Sequence, residues 1–146
     1  MTSETMTSQQ QRRAEVEAEL RSRPPYELLG GEAGIKNLVD SFYDVMDRDE
    51  DFRLIRKMHK DDLSPMRTSL FEYLSGWLGG PPLYIERKGS PCMTSPHAPY
   101  AIGPQARDLW VECMSRGLVE AGIEEKYREL LMPAFERMAD MVRNTD

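Results

Sequence analysis

Residues 92–110 read CMTSPHAPYAIGPQARDLW. Pro96, Pro99 and Pro104 bracket a histidine, His97, and then a strongly patterned segment begins. Proline lacks a backbone N–H and has a fixed φ, so the chain around His97 is neither a regular strand nor the interior of a long helix. From Pro81 to Pro104 there are six prolines in 24 residues, which makes the whole region a stiff, irregular connection. After Pro104, Ala106, Leu109, Trp110, Cys113, Met114, Gly117 and Leu118 follow at steps of three and four. That is the period of one buried helix face.

The same period recurs on both sides of this stretch. EAGIKNLVDSFYDVMDRD (32–49) places Ile35, Leu38, Val39, Phe42, Tyr43 and Met46 on one face, with Tyr43 turned inward. LSPMRTSLFEYLSGWLGGPP (63–82) carries Met66, Leu70, Tyr73, Leu74 and Trp77. Here Ser64 reads as the cap, Pro65 as the first helical position and Gly79-Gly80-Pro81 as the stop. EEKYRELLMPAFERMADMVRN (124–144) predicts a last helix kinked at Pro133. Between residues 49 and 63, Phe52, Leu54, Ile55 and Met58 are interleaved with charges, which predicts a short helical turn or two with His59 in the corner. No segment alternates as a strand would. The expected fold class is all-α, with four principal helices.

Residues 1–25 are rich in Gln, Ser, Thr, Arg and Glu, and read as a flexible extension in which AEVEAEL makes at most a turn or two of helix. Residues 26–146 are the expected folded domain. Among the 146 residues no apolar run approaches the roughly 20 needed to span a bilayer. The N-terminus lacks the hydrophobic core of a signal peptide, so the expected location is the cytoplasm, where Cys92 and Cys113 read as reduced thiols. A formal net charge of −6, with both signs interspersed, argues against nucleic acid as a partner.

Cys92, His97, Cys113 and His59 supply four possible zinc ligands, but not in the close pairs that zinc sites use. The chain has no CxxCH for covalent haem, too few cysteines for an iron–sulfur cluster, and no phosphate-loop or dinucleotide fingerprint. Cys113 lies on an apolar helix face, where cysteine behaves as a small hydrophobe. Two readings of His97 stand: a loop histidine bonded to a carbonyl, or an axial ligand to haem iron held by rigid backbone. Tyr43 and Trp110, taken alone, are equally readable as core packing.

SFYDVM (41–46), GGPPLYIERKG (79–89), PHAPYAIGP (96–104) and RDLWVECM (107–114), with the two Gly-Gly pairs, closely resemble the truncated haemoglobins of the second group. The resemblance spans about residues 26–143. It implies a two-over-two helical sandwich around haem b, with His97 as the proximal iron ligand. Tyr43 and Trp110 match the distal residues that face the bound ligand, and His59 falls at a corner position where it would support Tyr43. Met66 and Leu70 match distal positions and can donate no hydrogen bond. Tyr84 matches a tyrosine near a propionate, and Tyr100, Ile102 and Met114 complete the expected haem contacts. Thr94 and Pro96 stand where family members commonly have arginine, which leaves Lys88, Arg67 or Tyr84 for the propionates.

Functionally the resemblance implies five-coordinate ferrous iron that takes oxygen, nitric oxide, carbon monoxide or peroxide. Donors aimed at the ligand slow its escape, which favours nitric oxide oxidation or peroxide reduction with an unidentified reductase over bulk transport. An unperturbed histidine pKa of about 6.5 would make His59 a source of sensitivity to mild acid. Alternatives are a gas or redox sensor, oxygen storage or delivery, and a haem-free helical module whose Met-rich faces bind a partner helix. The chain is expected as a monomer or homodimer, with no membrane partner.

Overall fold

The computed structural model describes residues 5–90 and 102–145. In chain order the helices are α1 (Ser8–Leu20), α2 (Pro25–Leu28), α3 (Gly31–Arg48), α4 (Arg53–Lys57), α5 (Ser64–Trp77), α6 (Leu83–Lys88), α7 (Pro104–Glu120) and α8 (Glu125–Val142), with a 3₁₀ turn at Glu50–Phe52 before α4. Among the described residues there is no strand, and no helix is long and apolar enough to cross a membrane.

The four long helices of the body form where the apolar period predicts them. The apolar stripe of α3 is the deepest, with Ile35, Leu38, Val39, Phe42 and Met46 essentially inaccessible to water. This helix is the centre of the molecule. It packs along α7 over its greatest length and along α5 on another side, while α7 also carries α8. The close crossing with α7 depends on two small residues one turn apart. A Cβ at Gly117 would stand 2.9 Å from the Phe42 Cα. The Cys113 thiol lies 3.4 Å from the Phe42 carbonyl, to which it donates.

Helix boundaries differ from expectation in detail. Ser64 is not the cap of α5: the N-cap residue is Leu63, and the Ser64 N–H donates to Asp62 Oδ1 at 3.0 Å. Gly79 terminates this helix as expected, at φ +90°, a conformation only glycine adopts without strain. Helix α8 runs through Pro133, because proline's missing N–H removes only one bond of the ladder and the flanking apolar stripe stays buried.

A larger difference lies in the described part of residues 1–25, from residue 5 on. Their polar composition reads as a flexible extension, yet residues 8–20 form α1, which is docked on α8. Thr7 and Gln10 make a reciprocal capping box: Thr7 Oγ1 accepts from the Gln10 N–H at 3.1 Å, and Gln10 Oε1 accepts from the Thr7 N–H at 2.8 Å. Val16 is the one residue of this helix that is fully covered. Charged side chains hold the rest. Arg12 meets Glu129 at 2.6 Å, Lys126 meets Glu19 at 2.7 Å, and the Tyr127 hydroxyl donates to Glu19.

Candidate functional site

Tyr43 and Trp110, from two helices, both rest on Phe42, and His59, from a third segment, rests on Tyr43. Tyr43 follows Phe42 on α3, and their rings meet edge to face with centroids 4.9 Å apart. Trp110, on the first half of α7, approaches the same Phe42 ring at 5.4 Å. His59, just past α4, stands edge-on to Tyr43 at 5.9 Å. Its Nδ1 lies 2.8 Å from the Ile55 carbonyl, which can only accept, so Nδ1 donates to it.

Tyr43 is only 5% exposed. Burial pushes its phenol well above the ordinary tyrosine range, against a smaller opposing effect from Arg67. The hydroxyl therefore keeps its proton at physiological pH and remains a hydrogen-bond donor. The Arg67 guanidinium lies over the Tyr43 ring, 5.7 Å from its centroid. Sequence spacing gave no sign of this neighbour, because Arg67 reaches across from α5.

Leu70, Ile102 and Met114 are buried, whereas Met66 remains 39% exposed. Tyr84, on α6, meets Tyr73 edge to face at 5.5 Å. His97 and Tyr100, together with Cys92, lie outside the described residues. The return of the chain into α7 is clamped by the C-terminal end. Asn144 Oδ1 accepts from the Ile102 N–H at 2.8 Å, and the Asn144 and Thr145 N–H groups donate to the Ile102 carbonyl at 2.9 and 3.1 Å. No sequence signal marked Asn144.

Whether these residues suit a haem is tested by what they leave uncovered. Met66, Tyr73 and Trp77 on the apolar stripe of α5, Tyr84 on α6, and Leu109 and Trp110 on α7 are all large and apolar, and none is fully buried. Rings continue this surface inward: Trp77 meets Phe135 at 5.1 Å, and Phe135 meets Trp110 at 6.0 Å. Large apolar side chains left partly uncovered on three helices, together with a protonated, buried phenol on α3, are of the kind that would hold a flat apolar macrocycle carrying a polar ligand, so the residues fit the group.

Other chemistry finds less support. Burial pushes the Cys113 thiol up to about 12, which leaves essentially no thiolate at neutral pH and no nucleophile. A surface groove of about 400 Å³ lies between α3 and α7, away from Tyr43. Its arginines are already engaged: Arg48 meets Glu120 at 2.6 Å, and Arg116 meets Asp49 at 2.6 Å.

Comparison with known proteins agrees with this geometry. Residues 25–144 match the model of the family described as bacterial-like globin. The group 2 truncated hemoglobin YjbI of Bacillus subtilis (strain 168) is 34% identical over 123 residues, covering 84% of this chain and 90% of that protein. The cold-adapted truncated hemoglobin of the Antarctic marine bacterium Pseudoalteromonas haloplanktis TAC125 superposes with a TM-score of 0.81 at 38% identity, covering 85% of this chain and 100% of that one. A truncated oxygen-avid haemoglobin from Bacillus subtilis superposes at 0.76 with 32% identity, over 84% of this chain and 100% of its own. The chain belongs to the bacterial-like globin family, as a truncated haemoglobin of the second group with the two-over-two helical fold.

Proposed function

We propose that this chain binds haem b through His97 and retains oxygen, or another diatomic gas, by hydrogen bonds from Tyr43 and Trp110. The observation that carries the reading is that Trp110, from α7, packs on the same Phe42 ring as Tyr43, while His59 stands edge-on to Tyr43. Haem, held by the His97 imidazole, would supply an iron able to bind a diatomic gas. Tyr43 offers a phenol that burial keeps protonated, and Trp110 offers an indole N–H, a group that can only donate. His59 stands edge-on to the Tyr43 ring and supports it by packing, with its Nδ1 held by the Ile55 carbonyl.

A hydrogen bond to a ligand carrying partial negative charge contributes about 1.5–3 kcal/mol, roughly tenfold or more in release rate for each donor. Two such donors suit a protein that keeps its ligand long enough for chemistry, such as nitric oxide oxidation or peroxide reduction supplied with electrons by a reductase in the cytoplasm. They suit bulk delivery less. Leu70 and Met114, both buried and neither a donor, would line the haem in this reading. Arg67 is engaged by Asp40 and Asp44, which leaves Lys88 and Tyr84 as the propionate partners in this reading.

The test is the absorption spectrum of the haemin-loaded chain, followed by stopped-flow oxygen dissociation. A strong Soret band that weakens or shifts in His97→Ala is expected, and dissociation should accelerate about tenfold or more in Tyr43→Phe and in Trp110→Phe. Unchanged rates in both variants would refute the donor arrangement, and a chain that stays colourless with haemin would refute the haem.

A further inference from the structure

We propose that Arg67 is a positioning residue for Tyr43: its guanidinium, forked between Asp40 and Asp44, ties α5 to α3 across the Tyr43 ring and fixes the direction in which the phenol donates. The proposal rests on the reading above, in which Tyr43 faces the ligand.

The geometry is a three-point clamp. Arg67 Nη1 donates to Asp40 Oδ1 at 3.1 Å and to the Asp40 backbone carbonyl at 3.2 Å, and Nη2 donates to Asp44 Oδ1 at 2.8 Å. Asp40 and Asp44 are one turn apart on α3, with Tyr43 between them in sequence. All three bonds cross from α5 to α3, so one planar group ties α5 to the helix that carries the phenol. An isolated surface ion pair would hold little. Here the side chain is only 28% exposed and the rigid fork satisfies three acceptors on one helix, which fixes orientation as well as contact.

The same placement puts a permanent positive charge 5.7 Å from the centre of the Tyr43 ring. A cation over the face is attracted by the ring quadrupole and restrains the ring's rotation about its side-chain bonds. It also polarises the phenol, making the O–H a stronger donor. Lysine reproduces the charge but not the fork, and methionine reproduces neither.

The haemin-loaded ferrous chain tests this with carbon monoxide as the probe for the iron–carbon stretching frequency in resonance Raman, and with oxygen as the probe for stopped-flow dissociation. Arg67→Met should shift the stretch and speed oxygen dissociation about two- to tenfold, the lower part of the range of coupling between contacting residues. In a Tyr43→Phe background the same substitution should change the rate by less than about twofold and leave the stretch in place, because the group that Arg67 positions is gone. Asp44→Asn, at an exposed carboxylate, should act in the same direction as Arg67→Met and more weakly. It decides the question if Arg67→Met does not fold. An equal effect of Arg67→Met with and without Tyr43 would show a general structural role and overturn the proposal, as would an unchanged stretch and rate in Asp44→Asn. Haemin uptake with Tyr43-dependent but Arg67-independent dissociation overturns this proposal alone. No haemin uptake overturns both.

Discussion

A side-chain carbon added at Gly117 would stand 2.9 Å from the Phe42 Cα and 3.2 Å from the Phe42 N, nearer than packed carbons tolerate. Phe42 is also the ring against which both Tyr43 and Trp110 rest. One missing side chain on α7 thus sets how closely the two donors stand, and a substitution there should act on stability and on the site together. Gly117→Val is expected to cost about 1–3 kcal/mol, the usual penalty of overpacking a dense core. It should also speed oxygen dissociation, because α7 moves away from α3 and carries Trp110 with it. Urea melts and stopped-flow dissociation check the two effects; full stability, or a destabilised chain with native dissociation, would show that this contact does not set the site. At this scale the sequence was half legible. Helical spacing put Tyr43 and Trp110 on inward faces, but what stands between them, and the reach of Arg67 from another helix, depend on how closely two helices approach, which spacing does not encode.

At the scale of elements, α1 is where composition misled. Polar, charged segments lack the apolar area to fix a conformation alone, and Val16 is the only fully covered residue in this one. What composition overlooks is the complementary charge of the receiving helix: Arg12 faces Glu129, and Glu19 faces Lys126 and Tyr127 on α8. The capping box from Thr7 to Gln10 was the one local signal available. Hydrogen bonds from Lys126 and Tyr127 hold the Glu19 carboxyl below its ordinary range, while Glu19 raises Lys126 above its own. A depressed carboxyl contributes stability that is present above its unfolded value, about 4.3, and lost as pH falls through the lower folded value. A raised ammonium contributes below about 10.4 and loses that contribution as pH rises through its folded value. Docking of α1 should therefore be constant from about pH 5 to 10 and weaken below about 4. The methyl NMR signal of Val16 reports it directly, moving toward its unfolded position in acid. In Glu19→Gln that signal should already be shifted at neutral pH, with a smaller acid step. A native Val16 signal and an unaltered acid midpoint in Glu19→Gln would remove Glu19 as the anchor.

For the molecule as a whole, the four long body helices were legible because each buries a wide apolar stripe against another, and their period survives in the sequence with little interruption. The motifs around His97 made the family legible too, and the match over residues 25–144 agrees with them. What the sequence could not show is that the inward faces do not close fully on themselves. Trp77 and Trp110 are the two tryptophans of the chain; both sit on apolar stripes, both touch Phe135, and neither is fully buried. A helical body that leaves both tryptophans, Tyr73 and Tyr84 partly exposed offers them to a group of matching size and flat shape. Haem supplies both, and its strong visible absorption overlaps tryptophan emission, so binding should quench the fluorescence of both rings. Titrating haemin into the chain is expected to lower emission linearly to a break at about one equivalent, since one macrocycle covers the face. The folded state should be stabilised in parallel, by about 2.7 kcal/mol when free haemin stands at 100 times its Kd, which appears as a rise of several degrees in Tm. Trp110→Phe should keep the break and lose part of the signal, because Trp77 still reports on the same face. Quenching that rises without a break, with Tm unmoved, would mean that haemin merely adheres to an apolar surface, and the half-covered aromatic face would then need a different occupant.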